Sequence, residues 1–336
     1  MKVGIFGATG YAGLELVERL QHHPEIEVVF VTSESFAGQT LDEIYPQAPA
    51  WPLVPSDEAP LKQADVVFLC LPHAASASTA VRALQAGCKV IDLSADFRLN
   101  DVATYEKWYK VKHPAPHLLA TAVYGLTEHA RGDLRQNPDL VACPGCYPTS
   151  VLLPLQPLVC GGAIDPHGRI IADSKSGVSG AGRSPKQLTH FVEVSDNLTP
   201  YNVGQKHRHW VEMTQVLKGW HTAVAPLIFS PHLISVPRGI LSTIYVPLAE
   251  GWHEARVREA FHSAYEEEPF VTLLPSGKLA TIAHVVRSNR CAIGLQMADD
   301  KTLIITSAID NLTKGSSGQA VQNLNVMMGW DETLGL

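Results

Sequence analysis

Short apolar runs alternate with amphipathic segments over the first 140 residues of the chain. Runs of this length, bounded by glycine, proline or polar residues, are typical of strands buried on both faces. They lie at Lys2–Phe6, Ile26–Ser33, Asp65–Leu71, Val90–Ser94 and Leu140–Ala142. Helical periodicity separates them, with Leu14, Val17 and Leu20 on one face and a second helix from His73 to Gln85. The alternation predicts an α/β fold with a doubly wound, Rossmann-type parallel sheet.

A different pattern begins after residue 146, where apolar and polar residues alternate over longer segments. We expect strands at Arg169–Ser174, Val224–Ser230, Gly239–Pro247 and Lys301–Ile309. Such strands predict an α+β domain with a mixed or antiparallel sheet. Small residues from Gly315 onwards predict a helix that runs to about Met328 and packs back on the first domain. We therefore assign residues 1–146 with 314–336 to one domain and 147–313 to another.

Length and charge narrow the class of protein. A chain of 336 residues exceeds the usual size of a single core, in agreement with two domains. Its formal charge of -7 leaves no basic face for nucleic acid or for an anionic membrane. The uncharged stretch 140–164 contains four prolines, so we expect a buried loop and helix there and no membrane span.

The cysteines and the N-terminus indicate the compartment. Six cysteines in a chain of this length are typical of reduced thiols rather than of a disulfide framework. The N-terminus enters a strand directly, without the basic and apolar segments of a secretion signal. We therefore predict a cytoplasmic protein.

A glycine-rich turn joins the first predicted strand to the first helix. Gly7 permits a tight turn, Gly10 lets the backbone approach a pyrophosphate, and Gly13 lets the helix pack close to the sheet. The spacing is GxxGxxG rather than the usual GxGxxG, so a purely structural turn is the alternative. The flanking strand and helix favour a dinucleotide site. Its predicted contacts are Gly7, Thr9, Gly10, Tyr11, Ala12 and Gly13.

The second strand ends in small hydroxyl residues, where an NAD enzyme would place an acidic residue for the ribose 2′-hydroxyl. Thr32 and Ser33 end the strand, and Ser35 follows. Hydroxyl groups hydrogen-bond a 2′-phosphate without repelling it, which favours NADP as the cofactor, with Ser33 and Ser35 as contacts. Glu34 opposes this preference, because it adds a negative charge and no arginine lies near it in the sequence.

Cys146 is the best candidate for a nucleophile. An apolar strand at Leu140 runs into a Pro-Gly turn, and Pro148 fits the first position of a following helix. A thiol at a helix N-terminus meets backbone N–H groups and the positive end of the helix dipole, which favour the thiolate. A buried, inert thiol is the alternative. The nucleotide turn in the same chain favours covalent chemistry.

Two histidines supply candidate proton transfer. His207 and His209 lie two residues apart, and either imidazole is a base near neutral pH. The spacing is also one that metal ligands use. No Cys, Asp or Glu cluster accompanies it, so we predict no metal.

Two arginine-containing segments are candidate anion sites. Arg98 follows the predicted strand Val90–Ser94, at the edge where doubly wound sheets bind ligands. Its alternative role is a surface salt bridge to Asp96 or Asp101. The loop predicted at Ser174–Arg183 is rich in donors and ends in arginine, which suits a carboxylate or another oxyanion. An ordinary surface loop is the alternative there.

Several blocks of sequence, taken together, resemble the N-acetyl-γ-glutamyl-phosphate reductase family. They are GATGYAG from Gly7, DLSADFRL from Asp92, PGCYPT from Pro144, SGVSGAGR from Ser176, HRH from His207, SPHL from Ser230, PRG from Pro237 and DNLTKGSSGQAVQN from Asp310. The resemblance covers essentially the whole chain. The family is similar in fold and mechanism to aspartate-semialdehyde dehydrogenase.

The resemblance implies an oxidoreductase of arginine biosynthesis that uses NADPH. It would convert N-acetyl-γ-glutamyl phosphate to N-acetylglutamate 5-semialdehyde and inorganic phosphate through a thioester on Cys146. His209 or His207 would be the acid/base, with His209 preferred. The other site residues that it implies are Ser176, Gly177 and Asn311 for the cofactor and Arg98, Ser179, Gly180, Arg183 and Arg238 for the substrate. We also expect a homo-oligomer, a dimer or a tetramer.

Two positions depart from the family's usual pattern. Val211 stands where proline is usual, before Glu212. Cys143 stands where asparagine or an apolar residue is usual, and with Cys146 it forms a Cys-Pro-Gly-Cys dithiol, the spacing of thioredoxin-like redox motifs. A dithiol redox protein and a non-catalytic nucleotide-binding regulator are therefore alternatives. Aspartate-semialdehyde and glyceraldehyde-phosphate-type dehydrogenases are the alternatives among enzymes.

Overall fold

The computed structural model describes residues 1–336. Its strands are β1 (Lys2–Phe6), β2 (Glu27–Thr32), β3 (Leu53–Val54), β4 (Val66–Leu69), β5 (Lys89–Asp92), β6 (Val123–Tyr124), β7 (Leu140–Ala142), β8 (Ile170–Gly177), β9 (Leu198–Pro200), β10 (Leu227–Ile234), β11 (Ile240–Pro247), β12 (Val271–Leu273), β13 (Cys291–Asp299) and β14 (Thr302–Ile309). Its α-helices are α1 (Tyr11–Leu20), α2 (Leu41–Ile44), α3 (Ser76–Gln85), α4 (Val102–Tyr109), α5 (Thr127–Leu134), α6 (Cys146–Cys160), α7 (Phe191–Val194), α8 (Arg208–Trp220), α9 (Glu254–Tyr265) and α10 (Gly318–Met328).

The chain divides into two compact units, and the first contains a parallel sheet. The first unit comprises Met1–Gly145 and Ser316–Leu336, and the second comprises Cys146–Gly315. Strands β1 to β7 pair in the order β3-β2-β1-β4-β5-β7-β6, and every pair is parallel. The strand order reverses between β1 and β4, where doubly wound sheets bind their ligands. The predicted Rossmann-type sheet is confirmed.

Helices cover both faces of this sheet. Leu16 of α1 and Leu324 of α10 belong to the core on one face. On the other face, Ala77, Ala80 and Ala83 of α3 pack against the strands. Because both faces are covered, the strands carry continuous apolar runs, and this is why they could be identified from the sequence.

Helix α10 packs within the first unit. Its Asn323 is fully buried, accepts a hydrogen bond from Thr127 Oγ1 at 2.6 Å and donates to Gly125 O at 2.9 Å. A buried amide needs such partners, so these bonds hold α10 against α5 and the loop that precedes it. The predicted packing of this helix on the first domain is confirmed. It begins at Gly318, after a π-helical turn at Thr313–Ser317, rather than at Gly315.

The second unit contains the mixed sheet. Its order is β12-β13-β14-β11-β8-β10-β9, with β8–β10 and β12–β13 parallel and the other pairs antiparallel. The predicted mixed sheet is confirmed, but β9, β12 and β13 were missed. The first five residues of β13 are all buried, so they do not alternate. Strands β9 and β12 have only three residues each, too few to show a period.

Helix α6 is buried along almost its whole length and packs against β11, β14, α8 and α9. It carries no charge and has Pro154 and Pro157 in its interior, so the expected buried helix is confirmed. It begins at Cys146, two residues before the start predicted from Pro148. Proline is tolerated in a first turn because the first four N–H groups of a helix have no intrahelical partner. The length and hydropathy that a membrane-crossing helix requires are found in no helix of this chain.

Candidate active site

The glycine turn of the first unit has two positions where only glycine fits. Gly7 has a φ of +77°, and a Cβ there would lie 2.5 Å from Cys70 O. A Cβ on Gly13 would lie 2.2 Å from Gly7 O. Gly10 is different, because its Cβ would make only an ordinary contact at 3.6 Å. Packing therefore requires glycine at positions 7 and 13, whereas the glycine at position 10 leaves the surface of the turn open to a ligand.

Gly10 is also the N-cap of α1, and no side chain caps this helix. Its first N–H groups and the positive end of its dipole suit a pyrophosphate. Tyr11 is partly exposed at the first position of the helix, next to Ala12. Thr9 Oγ1 hydrogen-bonds Ser33 Oγ at 2.8 Å, which ties the turn to the end of β2. The turn has the geometry that a dinucleotide requires.

The carboxyl end of β2 supplies hydroxyl groups beside this turn. Thr32 Oγ1 accepts a hydrogen bond from Gly7 N at 3.2 Å, and Ser33 is buried while Ser35 is exposed. Glu34 is exposed, and its Oε1 accepts from Ser56 N at 3.0 Å. The side chain of Ser56 and this backbone bond together lower the pKa of Glu34. Thr32, Ser33 and Glu34 thus lie where the ribose end of a dinucleotide binds in such sheets.

Arg98 is buried in the first unit and binds backbone carbonyls. Its Nε donates to Cys143 O at 2.7 Å and its Nη2 to Leu93 O at 2.8 Å. It therefore ties the loop after β5 to the residue that precedes the Pro-Gly turn. Its role as an anion contact stays a prediction, and its positioning of this turn was not expected from the sequence.

Cys143 is fully enclosed in the first unit. Burial, followed by the charge of Asp92, raises the pKa of its thiol to about 12. Asn323 Nδ2 lies 3.7 Å from its Sγ. A resolving thiol reacts as the thiolate, which these surroundings disfavour. The environment of Cys143 therefore speaks against a redox pair.

Cys146 lies in the second unit, in the first turn of α6, and is partly exposed. The chain passes it closely at Gly315, where a Cβ would lie 2.9 Å from the Cβ of Cys146. Gly315 N also donates to Asp310 O at 2.9 Å, which closes this segment into a turn. The thiol thus sits at the positive end of a long buried helix, and its role as a nucleophilic thiolate stays a prediction.

His207 is the N-cap of α8. Its Nδ1 accepts a hydrogen bond from His209 N at 3.1 Å, which places the proton of the neutral ring on Nε2. Burial, followed by the nearby charge of Arg208, lowers the pKa of His207 to about 4. His207 is therefore neutral at pH 7 and a weak base.

The rings of His207 and His209 both pack against Tyr147, the residue that follows Cys146. The ring centroid of Tyr147 lies 5.6 Å from that of His207 and 5.9 Å from that of His209. Tyr201 Oη donates to Tyr147 Oη at 3.1 Å, and burial raises the pKa of both phenols. The two histidine rings are themselves 4.8 Å apart. The candidate bases thus pack against Tyr147, which follows the candidate nucleophile Cys146 in α6.

Sequence reasoning missed both tyrosines of this cluster. Tyr147 follows Cys146 directly, and that adjacency was the only signal for it. Tyr201 lies after β9, an edge strand that the sequence did not reveal, and nothing in the local pattern marks it.

The loop after β8 is held from within the second unit. Ser179 Oγ accepts from Asn311 Nδ2 at 2.9 Å, and Asn311 Oδ1 accepts from Gly239 N at 2.7 Å. A Cβ on Gly177 would lie 2.8 Å from Arg238 N, so glycine permits the close approach of two chain segments. These contacts give Asn311 and Gly177 structural roles. Their role toward a cofactor stays a prediction.

The other predicted residues of this segment differ in burial. Ser176, in β8, is buried, and its Oγ donates to Gly177 O at 3.0 Å. Gly180 and Arg183 are exposed. An exposed guanidinium at the end of a glycine-rich loop remains suited to an anionic substrate.

Arg238 makes a bidentate ion pair with buried Asp310. Nε lies 3.0 Å from Oδ2 and Nη2 lies 3.2 Å from Oδ1. Burial alone would raise the pKa of Asp310, but a hydrogen bond from Arg287 N and the charge of Arg238 hold it below its ordinary value. The substrate-binding role of Arg238 stays a prediction, and its pairing with Asp310 gives it a structural role.

Replacing Arg238 with methionine should lower the free energy of unfolding by about 3–5 kcal/mol at pH 7, because it leaves Asp310 charged and buried. The pKa of Asp310 is depressed in the folded protein, so the stabilisation is present above its unfolded value of about 3.9 and is lost as the pH falls through the folded value. Chemical denaturation at several pH values measures this.

The Arg238→Met/Asp310→Asn variant is the control, because the residue left in the protein is then neutral. It should be less destabilised than Arg238→Met. A loss below about 1 kcal/mol in Arg238→Met would mean that the pair behaves like an exposed one.

No three or more His, Cys, Asp or Glu residues form a group that could hold a metal ion.

The matching family models agree with the two units. Residues 2–137 match the semialdehyde dehydrogenase NAD binding domain. Residues 146–311 match the semialdehyde dehydrogenase dimerisation domain.

Full-length relatives share nearly half of the residues. The chain is 46% identical to the N-acetyl-gamma-glutamyl-phosphate reductase of Moorella thermoacetica, covering 100% of this chain and 98% of that protein. Identity to the protein of the same name from Magnetococcus marinus is 48%, covering 100% and 97%. The corresponding values for Pelotomaculum thermopropionicum are 47%, 100% and 97%.

Solved structures with the same fold are more distant in sequence. Aspartate semialdehyde dehydrogenase II of Vibrio cholerae has a TM-score of 0.74 at 18% identity and covers 98% of both chains. Aspartate semialdehyde dehydrogenase of Candida albicans, solved with NADP, has a TM-score of 0.73 at 16% identity over 97% of this chain and 98% of that chain. These likenesses establish the two-domain α/β fold.

Proposed function

The chain belongs to the N-acetyl-gamma-glutamyl-phosphate reductase family of semialdehyde dehydrogenases and is an oxidoreductase, and from this premise we propose its reaction. It reduces N-acetyl-γ-glutamyl phosphate to N-acetylglutamate 5-semialdehyde with NADPH and releases inorganic phosphate, in arginine biosynthesis. The observation that carries the proposal is the position of Cys146 at the start of α6, beside the cluster of His207, His209 and Tyr147.

The first step is attack by Cys146. Its thiolate forms a C–S bond to the acyl carbon as the C–O bond to phosphate breaks, and inorganic phosphate leaves. The helix N-terminus stabilises the thiolate before attack and N–H donors there can stabilise the developing oxyanion. The product is a thioester on Cys146, which splits one difficult reduction into two steps.

His209 first donates and then accepts a proton in the second step. Bound NADPH supplies the hydride that reduces the thioester. Protonated His209 gives its proton to the resulting oxyanion, which forms a hemithioacetal. It then takes the hydroxyl proton back as the C–S bond breaks, and this releases the aldehyde and the thiolate. We assign this role to His209 because His207 is occupied as the cap of α8 and has a pKa of about 4.

The arginines and the glycine-rich loop are the candidates for binding the anionic groups of the substrate. Arg183 is exposed at the end of this loop, and Ser179 and Gly180 precede it. We retain Arg98 and Arg238 as candidate contacts, although both already bind groups of the protein. Arg183 is the strongest candidate because a carboxylate can reach it from solvent.

NADPH should be preferred over NADH in kcat/KM by at least about tenfold, or 1.4 kcal/mol. The reason is that Thr32, Ser33 and Ser35 offer hydroxyl groups at the end of β2, where an acidic residue would bind a free ribose hydroxyl. Steady-state kinetics with both cofactors measures the preference. Equal values would mean that Glu34 spoils the site for a 2′-phosphate.

The second unit also carries a surface for a second copy of the chain. Ile171, Ile228 and Tyr245 lie side by side on neighbouring strands, and each is partly exposed on the sheet. We infer that this row contributes to a homo-oligomer, a dimer or a tetramer. Ile171→Asp should lower the molar mass measured by light scattering. An unchanged mass would exclude this face as the contact.

The thiols support a proposal for the compartment. None of the six cysteines forms a disulfide, which agrees with a reducing compartment. We therefore propose that the enzyme works in the cytoplasm.

A phosphate-dependent assay tests the function. N-acetylglutamate 5-semialdehyde should reduce NADP⁺ only when inorganic phosphate is added, because phosphate must release the acyl group from Cys146. Aspartate semialdehyde and glyceraldehyde 3-phosphate are the matched alternatives. Faster turnover with either of these would overturn the substrate assignment, and turnover of thiols and disulfides alone would support the redox protein.

A further inference from the structure

Three serines form a buried hydrogen-bonded chain in the second unit, which we call the serine chain. Ser174 of β8 and Ser242 of β11 lie opposite each other in the sheet, and Ser150 lies in α6, which packs on β11. Ser242 Oγ is 2.7 Å from Ser174 Oγ and 2.8 Å from Ser150 Oγ. None of the three side chains is exposed to solvent. The serine chain therefore connects two strands of the sheet to the helix that carries Cys146.

The serine chain has a direction and ends on the first turn of α6. Ser150 Oγ donates its one proton to Tyr147 O at 2.9 Å, so toward Ser242 it accepts. Ser242 therefore donates to Ser150, and Ser174 must donate to Ser242. Hydrogen bonds aligned in this way strengthen one another. The carbonyl that accepts the last bond belongs to Tyr147, the residue that follows Cys146.

Two prolines interrupt the backbone hydrogen bonds of α6 and leave its first turn in need of an anchor. A helical carbonyl normally accepts from the N–H four residues later, and proline has no N–H. Pro154 therefore leaves Ser150 O without this helical bond. Pro157 does the same for Leu153 O, and the hydroxyl of Tyr265 donates to that carbonyl instead. The first turn is thus tied less firmly to the rest of the helix, and the serine chain ties it to the sheet.

We propose that the serine chain positions Cys146 by fixing the first turn of α6 on β8 and β11. The N–H groups of a first turn stabilise a thiolate, and this effect falls off within one turn, so it depends on how the turn is held. Ser242 is the central residue because it joins the sheet to the helix. It acts through Ser150 and is a positioning residue. The proposal rests on the proposed function and adds the residues that hold the nucleophile in place.

Close packing is the alternative explanation for these serines, because small side chains let a helix approach a sheet. Alanine would then serve equally well at Ser242. Ser307 of β14 lies opposite Ser242 in the sheet and is equally buried. Its Oγ lies 3.6 Å from Cys291 Sγ, outside the serine chain. Ser307 is therefore the matched control for the loss of a buried hydroxyl from this part of the sheet.

Alkylation of Cys146 by iodoacetamide, followed by mass spectrometry of its peptide, tests the proposal without substrate or turnover. Ser242→Ala keeps a small side chain but removes the central hydroxyl, so the rate at pH 7 should fall by about three- to tenfold. The rate at Cys160, the exposed thiol at the other end of α6, should not change and is the internal reference. Ser307→Ala should leave both rates at their wild-type values.

Turnover should follow the same pattern. Ser242→Ala should lower kcat by about tenfold while KM for cofactor and substrate stays within about twofold, because the reacting thiol and not ground-state binding is affected. Ser150→Ala breaks the same chain at a helical position that favours alanine, and it replaces Ser242→Ala if that variant does not fold. If the hydroxyls act as one unit, the double variant should lose no more than the more impaired single variant.

The outcomes separate this proposal from the proposed reaction. Wild-type alkylation and kcat in Ser242→Ala would mean that the serines only pack, while the reaction would stand. Faster alkylation of Cys146, an equal loss in Ser307→Ala, or multiplied losses in the double variant would also overturn the positioning role. If alkylation slows as expected but the wild type does not turn over N-acetylglutamate 5-semialdehyde, the proposed reaction fails and the positioning of the thiol stands.

Discussion

Replacing Cys146 with serine should reduce kcat by at least about three orders of magnitude, or roughly 4 kcal/mol in the barrier, while NADP⁺ binding is unchanged. The first turn of α6 stabilises a thiolate, whereas a serine hydroxyl at the same place stays protonated at neutral pH. Serine is nearly isosteric with cysteine, so the helix and its packing should persist. Steady-state kinetics and cofactor titration on the same preparation measure both quantities.

Cys160→Ser is the matched control, because Cys160 is an exposed thiol at the other end of the same helix. It should retain wild-type turnover. Retention of more than about a tenth of kcat in Cys146→Ser, a change below about 1.4 kcal/mol, would refute covalent catalysis through Cys146.

Replacing His209 with glutamine should lower kcat by about two to four orders of magnitude, the usual contribution of a general acid/base. The variant should also lose the part of the pH–rate profile that reports the titration of this imidazole. Substrate and cofactor affinity should change little, because the ring acts on the proton rather than on ground-state binding. The pH dependence of kcat and kcat/KM distinguishes these effects.

His207→Gln is the comparison, with a different expected result. It should lower the free energy of unfolding by about 0.5–2 kcal/mol, because α8 loses its cap. The pKa of His207 is lowered to about 4 from 6.5, so its neutral form stabilises the fold fully above 6.5, and this stabilisation is lost as the pH falls toward 4. A larger loss of kcat in His207→Gln than in His209→Gln would exchange their roles, and no loss in either would remove the acid/base from this cluster.

The sequence determined much of the fold because the first unit repeats one local pattern. Strands β1, β2, β4 and β5 are covered on both faces by helices, so their apolar runs are visible without knowledge of their neighbours. The glycine turn could also be recognised, because it joins β1 directly to α1; the contact of Gly7 with Cys70 O, just after β4, appears only in the fold.

The position of Cys146, the proposed nucleophile, also depended on local sequence. A Pro-Gly turn before a helix places Cys146 at a helix N-terminus whatever the rest of the chain does, and only the first helical residue was misplaced. The sequence blocks that resemble the family then predicted a specific reaction. Full-length relatives at 46–48% identity, all named N-acetyl-gamma-glutamyl-phosphate reductase, support that prediction.

Tertiary structure decided the roles of side chains whose partners are distant in sequence. The sequence could not separate His207 from His209, and the cap on α8 together with burial against Tyr147 and Tyr201 made them different. Asp310 lies 72 residues from Arg238, so their pairing had no local signal. Likewise, Ser56 N reaches Glu34 Oε1 only because β2 and β3 are neighbours in the sheet, and Arg82 of α3 donates to Ser56 O. Local sequence records which groups are present and which conformations they favour, whereas the charge and availability of each group depend on burial and on partners that only the folded chain brings into contact.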